Sequence, residues 1–355
     1  MISKKRFDEE DGLRRSLDKI KIFLIFGAIA LFVVLIYLYM GEDHNSKFIC
    51  GDGTELNSCS DLKPYFCLND TLVERASDCG CPEGFEETDD SCISQFQSTS
   101  EIISLNYVLR GEQKQIDLAV YDGVANYVSK IPRQIYYKEG ETPNRGDFKE
   151  SKINEKTQFD FISPLIVKIQ NLDDDKTEQA RIAVSLVQNL EWGVSEKPNF
   201  NFGDFEVNYS RYPYEVLYEK QGLCGEKSEL LALILKELGF EVVLFYNQIE
   251  NHESVGIKCP KKHSWKETGY CFVETTGPSI ITDSSIEYVG GLILQSNPEI
   301  ILISEGISLE SNLYEYTDAE TLMKIRDKKR MSYFDKKKLE KLEEKYGLAE
   351  EYFSG

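Results

Sequence analysis

Gly222-Leu223-Cys224-Gly225-Glu226-Lys227-Ser228-Glu229, running on through Leu230-Leu231-Ala232-Leu233-Ile234-Leu235-Lys236-Glu237-Leu238-Gly239, reads as a turn feeding a buried helix. Leu230 to Leu235 is apolar almost all the way round, which places the helix inside the protein rather than on its surface. Gly239 is suited to stop it. Cys224 falls in the first turn, where free amide groups and the helix dipole favour a thiolate.

Downstream, Phe240 to Tyr246 is a strand by composition. His252–Ile257 and Tyr270–Thr275 are two more, joined by a polar loop containing Pro260. They predict an antiparallel hairpin in which His252 faces Glu274 across the sheet. Cysteine, histidine and acid in that order point to a thiol enzyme. The histidine would help generate the thiolate and protonate the leaving amine. Glu274 would hold the ring's tautomer and orientation. The amide of Cys224 is the natural oxyanion donor, with Gln221 or Tyr212 as a possible second. Gly222 and Gly225 would let substrate approach the backbone closely. Each residue also has a plain structural reading: small apolar filler for Cys224, a satisfied polar group for His252, a surface carboxylate for Glu274.

Working outward, the other cysteines fall into two sets. Cys50, Cys59, Cys67, Cys79, Cys81 and Cys92 crowd one short stretch without the paired spacing of a zinc module, which predicts three disulfides of unreadable connectivity. Cys259 and Cys271 bracket the hairpin loop and could bridge it, leaving Cys224 as a free thiol. A metal site on Cys259, His263 and Cys271, with or without His252, lacks a clear fourth ligand, so no metal and no cofactor is expected.

Ile22 to Met40 carries no charge and approaches the length of a bilayer-spanning helix. Lys4, Lys5, Arg6, Arg14, Arg15, Lys19 and Lys21 precede it, while Glu42 and Asp43 follow, which places the N-terminus in the cytoplasm and the rest outside. A cleaved signal peptide would have a shorter apolar region and a small-residue cleavage site. A net charge of -20 argues against nucleic acid as a partner.

Between these landmarks, Ser94 to Ile102 reads as a linker. Tyr107 to Tyr136 carries Leu118, Val120, Val124 and Val128 at helical spacing, and a polar stretch from Tyr137 to Gln158 follows. Thr177 to Leu190 is a clearer helix, entered through Asp173-Asp174-Asp175. Asn297 to Ser304 predicts a strand closing the sheet. From Thr317 the chain reads as charged helix, with Met331, Phe334, Leu339 and Leu342 as a docking side.

The run Tyr212-Pro-Tyr-Glu-Val-Leu, the Cys224 stretch, His252-Glu-Ser-Val-Gly and Phe272-Val-Glu-Thr-Thr resemble the transglutaminase-like superfamily in its membrane-anchored archaeal form. The family's acid is usually Asp; here it is Glu274. The resemblance implies an α+β, papain-like core, a cysteine-bearing buried helix packed on an antiparallel sheet. One transmembrane helix and a small disulfide-rich module would precede that core. It also implies acyl transfer through a Cys224 thioester. The expected organisation is a cytoplasmic segment (1–21), the span (22–40), the cysteine module (41–93) as a spacer and a linker (94–104). The family domain (105–310, core about 170–302) and a helical tail (311–355) follow. The expected activity is that of a protease or amidase on a protein or peptide substrate, ahead of transamidation. A catalytically inactive binding or scaffold module at the cell surface is the alternative.

Overall fold

The Cys224 stretch forms a helix from Cys224 to Glu237 whose residues Leu230 to Leu235 are each no more than 1% exposed. Leucine, alanine, glutamate and lysine are strong helix formers. The first turn is closed by Glu226, which accepts the Leu223 N–H at 2.9 Å. Gly239, at φ 94°, takes the left-handed conformation that ends the helix. These coordinates are a computed structural model, which describes residues 49–202, 205–285, 293–328 and 330–348 together with Gly27 and Leu31.

In chain order the strands are β1 (Tyr65–Leu68), β2 (Thr71–Glu74), β3 (Glu86–Thr88), β4 (Ser91–Ile93), β5 (Ser100–Leu109), β6 (Glu112–Tyr121), β7 (Glu191–Trp192), β8 (Phe200–Phe202) and β9 (Phe205–Val207). After them come β10 (Gln221–Gly222), β11 (Val242–Asn247), β12 (His252–Lys258), β13 (Tyr270–Val273) and β14 (Glu299–Ser304). The helices are α1 (Ala76–Cys79), α2 (Asp122–Ser129), α3 (Arg145–Ile153), α4 (Lys156–Leu172), α5 (Lys176–Gln188), α6 (Pro213–Glu219), α7 (Cys224–Glu237), α8 (Tyr314–Arg326) and α9 (Tyr333–Tyr346). The fold is mixed α+β.

The main sheet is antiparallel throughout, in the order β13-β12-β11-β14. Val242, Leu244, Val255, Ile257 and Val273 share a core with the leucines of α7. Val243, Phe245 and Phe272 pack on the other side with Trp265 and Leu294. Burial on both faces explains why these strands read as continuous apolar runs.

Upstream, the spacing over Tyr107–Tyr136 is misleading. Ser100–Leu109 and Glu112–Tyr121 form a long antiparallel hairpin, and only Asp122–Ser129 is helix. The buried residues Ile103, Leu105 and Tyr107 on one strand, and Ile116, Leu118 and Val120 on the other, alternate with a period of two. The predicted linker therefore ends inside a strand, at Ser100. The polar stretch before Gln158 holds α3 and the start of α4, each capped by a side chain, Asn144 and Glu155 respectively. The helix predicted at Thr177–Leu190 is α5, with Asp175 accepting the Thr177 and Glu178 N–H groups.

The cysteine module carries disulfides Cys50–Cys67, Cys59–Cys79 and Cys81–Cys92, and a fourth, Cys259–Cys271, spans the hairpin loop. The module is not a detached spacer. Leu72 exchanges two backbone hydrogen bonds with the Asn171 side chain, and Cys50, Tyr65, Cys67 and Leu72 pack on Val167 of α4. Residues 49–355 accordingly group as one compact unit. The tail joins it through Glu315, which pairs with Arg181, and Lys345, whose carbonyl takes the Gly111 N–H. Leu339 and Leu342 are buried as predicted for a docking side, but Phe334 is 75% exposed and Met331 36% exposed.

The predicted span, 22–40, lies outside the described residues apart from Gly27 and Leu31. Among the described residues no helix is long and apolar enough to cross a membrane.

Candidate active site

Three elements deliver the three predicted residues. Cys224 opens α7, His252 opens β12, and Glu274 follows directly on β13. Because β12 and β13 are antiparallel, the start of one and the end of the other lie at the same end of the sheet. Their register pairs Val255 with Val273. Continued, it sets Ser254 opposite Glu274, so His252 and Glu274 meet diagonally rather than face to face. A diagonal pair is within reach of a long side chain, and glutamate's extra methylene suits it.

His252 donates through Nε2 to Glu274 Oε2 at 3.0 Å, and the Cys224 side chain lies near enough to act on the ring. Glu274 is fully buried and held hard: its Oε1 accepts the Thr275 N–H at 2.9 Å, the Thr276 N–H at 2.8 Å and the Thr276 hydroxyl at 2.7 Å. Cys224 is the free cysteine and is partly exposed.

The electrostatics favour a charged ring. Burial of His252 works against protonation, yet the hydrogen bonds to Cys224 and Glu274 and the charges of both push its pKa from 6.5 to about 10. A folded-state pKa above the unfolded one means that the stabilisation is complete below about pH 6.5 and is lost as pH rises toward about 10. Lys227, depressed to about 8, works in the opposite sense above that pH. The difference in urea midpoint between the unsubstituted protein and His252→Ala should therefore shrink steadily across this alkaline window. A difference that does not change with pH would contradict the charged ring.

Around the cysteine the backbone is tightly supported by residues that sequence reading passed over. Arg211, 1% exposed, donates to Glu226 Oε2, to Gly193 O and to Gln221 Oε1, each at 3.0 Å. Its own N–H bonds Glu226 Oε1 at 2.7 Å. One buried ion pair thus anchors the turn ahead of Cys224. On the far side, Lys149 bridges Glu229 at 2.7 Å and Glu253 at 2.6 Å, Lys152 reaches Glu229, and Arg145 pairs with Glu253 at 3.2 Å. The only legible signal was a set of charges in the first turn of a helix whose remainder is apolar.

Protein already fills the space beside the two glycines: a Cβ on Gly225 would lie 2.2 Å from Glu253 Oε2, so packing also calls for glycine there. Gly222 is likewise enclosed by Lys227, Val216 and Glu226. Of the two candidates for a second oxyanion donor, Gln221 accepts a hydrogen bond from Arg211 through Oε1 with its Nε2 against Gly193, and Tyr212 is buried beneath the Arg133 guanidinium. The metal alternative loses its thiolates, since Cys259 and Cys271 are joined to each other and His263 stacks on Tyr316.

No protein-family model matches the chain, and no curated protein matches it.

Proposed function

We propose that this protein is a membrane-anchored, extracytoplasmic thiol enzyme of transglutaminase-like, papain-like architecture that cleaves amide bonds in a protein or peptide. The observation that carries the reading is His252, bonded at 3.0 Å to the buried Glu274 and acted on by the free Cys224 at a helix N-terminus. A helix N-terminus and an adjacent imidazolium both favour the thiolate. The four disulfides fit an oxidising compartment.

In the proposed cycle the Cys224 thiolate attacks the carbonyl carbon, and the Cys224 N–H steadies the oxyanion. The C–N bond breaks as His252 gives its proton to the departing amine, leaving a thioester. Neutral His252 then takes a proton from water, which attacks the thioester, releases the carboxylic acid and restores the pair. Glu274 keeps its charge throughout and orients the ring.

Iodoacetamide tests the central claim on the full-length protein, with the alkylated residue located by peptide mass spectrometry. Cys224 should react faster than free cysteine at neutral pH, and His252→Ala should slow it. A rate no greater than that of free cysteine, unaffected by His252→Ala, would overturn the proposal.

A further inference from the structure

The tail presents a surface that the thiol chemistry does not use. α9 buries Leu339 and Leu342 with Ala319 and Leu322 of α8, while its first turn projects outward. There Tyr333 is 68% exposed and Phe334 75% exposed, with Met331, 36% exposed, just ahead of them. The two rings lie edge to face with centroids 5.9 Å apart. A lone exposed apolar residue is ordinary, but three grouped at one helix tip make a patch.

Cations surround this tip. From Lys324 to Lys338 eight lysines and arginines stand against two acids, Asp327 and Asp335, in a chain whose net charge is -20. Lys328 takes up Asp335 at 2.6 Å, and Arg326 holds Asp283 at 2.7 Å. Lys337 lies over the Tyr333 ring, 5.6 Å from its centroid. Among the described residues Arg330, Lys336 and Lys338 have no acidic partner, and all three are exposed. Beyond Asp335, the acids of α9 begin a turn later, at Glu340.

We propose that this tip is a second membrane contact: the first turn of α9 rests on a bilayer surface that carries anionic headgroups. Met331, Tyr333 and Phe334 then meet the acyl boundary, and Arg330 and the lysines meet the phosphates. Apolar rings beside lysines are the combination that such an interface favours, because the rings leave water while the ammonium groups stay among the headgroups. A soluble polyanion would pair with the cations but leave the rings in water. The contact rests on the membrane-anchored reading. The span supplies the tether, and a patch too weak to hold alone becomes effective because tethering keeps it close to lipid.

The test is lysine acylation by a neutral succinimidyl ester, read residue by residue by peptide mass spectrometry, on full-length protein in lipid discs. One set of discs is phosphatidylcholine alone, and the other contains about one-third phosphatidylglycerol. Lys336, Lys337 and Lys338 should react about fivefold more slowly in the anionic discs. Lys261, 72% exposed on the loop between β12 and β13, should not change. The protection should weaken at about 0.5 M salt. Tyr333→Ser combined with Phe334→Ser should abolish most of it, since the pair removes the apolar half of the contact and no charge. Equal rates in the two discs would overturn the proposal, and so would protection that the double substitution leaves intact. Slowing that appears without lipid as protein concentration rises would assign the tip to a second copy of this acidic chain, and equally overturn it. If the protein enters neither disc, the anchoring span fails, and flotation with vesicles of the same two lipids decides the tip by itself. Binding to the anionic vesicles alone upholds the contact; binding to both alike, or to neither, rejects it.

Discussion

Replacing His252 by alanine should slow the alkylation of Cys224 at neutral pH by about tenfold, and slow any amide turnover by about 10²–10⁴. The two magnitudes differ because they measure different things. Alkylation needs only the thiolate, and an ordinary thiol is already a few per cent ionised at neutral pH. Amide cleavage also needs a proton delivered to the leaving nitrogen, and the His252 ring, bonded to Glu274 and acted on by Cys224, is the group proposed to deliver it. Glu274→Gln should lie between these limits, since it preserves the size of the side chain but not the charge that holds the ring protonated. Equal alkylation rates in the His252→Ala and unsubstituted proteins would show that the ring does not govern the sulfur, and would favour the scaffold alternative.

Glu229→Gln should cost about 3–5 kcal/mol of folding stability, the usual penalty for breaking a buried ion pair from one side. Glu229 is 1% exposed and lies between Lys149 and Lys152, whose side chains are 10% and 1% exposed. Burial alone would raise its pKa, but the two ammonium groups reverse this and hold it below the ordinary carboxylate range. A depressed carboxylate stabilises the fold above its unfolded pKa, and that contribution fades as pH falls through the folded value. The substituted protein should therefore lose less stability on acidification than the unsubstituted one. Urea unfolding with the four disulfides intact reads both effects, and a cost below about 1 kcal/mol would mean that the lysines find other partners. Adding Lys152→Met should recover part of the loss, because it removes one stranded charge.

The cysteine helix was legible because its signal is local. A run of six apolar residues and a terminal glycine determine a buried helix whatever surrounds it. The same holds for β11 and for α5, whose N-cap Asp175 stands in the acidic run that announced it. The β5–β6 hairpin was missed because apolar residues at Leu118, Val120, Val124 and Val128 satisfy two periodicities at once, and the change from strand to helix falls between them at Tyr121. The polar helix α3 was passed over for the opposite reason. Its mean composition is hydrophilic, and its buried Lys149 and Lys152 find their partners far along the chain, on α7 and β12.

By itself, then, the sequence determined the cysteine-bearing helix, the strands that flank it and the set of residues with the right chemistry, because each depends on neighbours a few positions away. Tertiary structure decided the rest. The diagonal meeting of His252 with Glu274 depends on a strand register set by packing on both faces of the sheet. The disulfide pairs, the docking of the module on α4, and the Arg211 and Lys149 networks join residues distant in the chain. No local pattern encodes such partnerships. They arise because a buried charge or an unpaired backbone group is costly wherever it falls, and only the assembled core determines which distant residue relieves it.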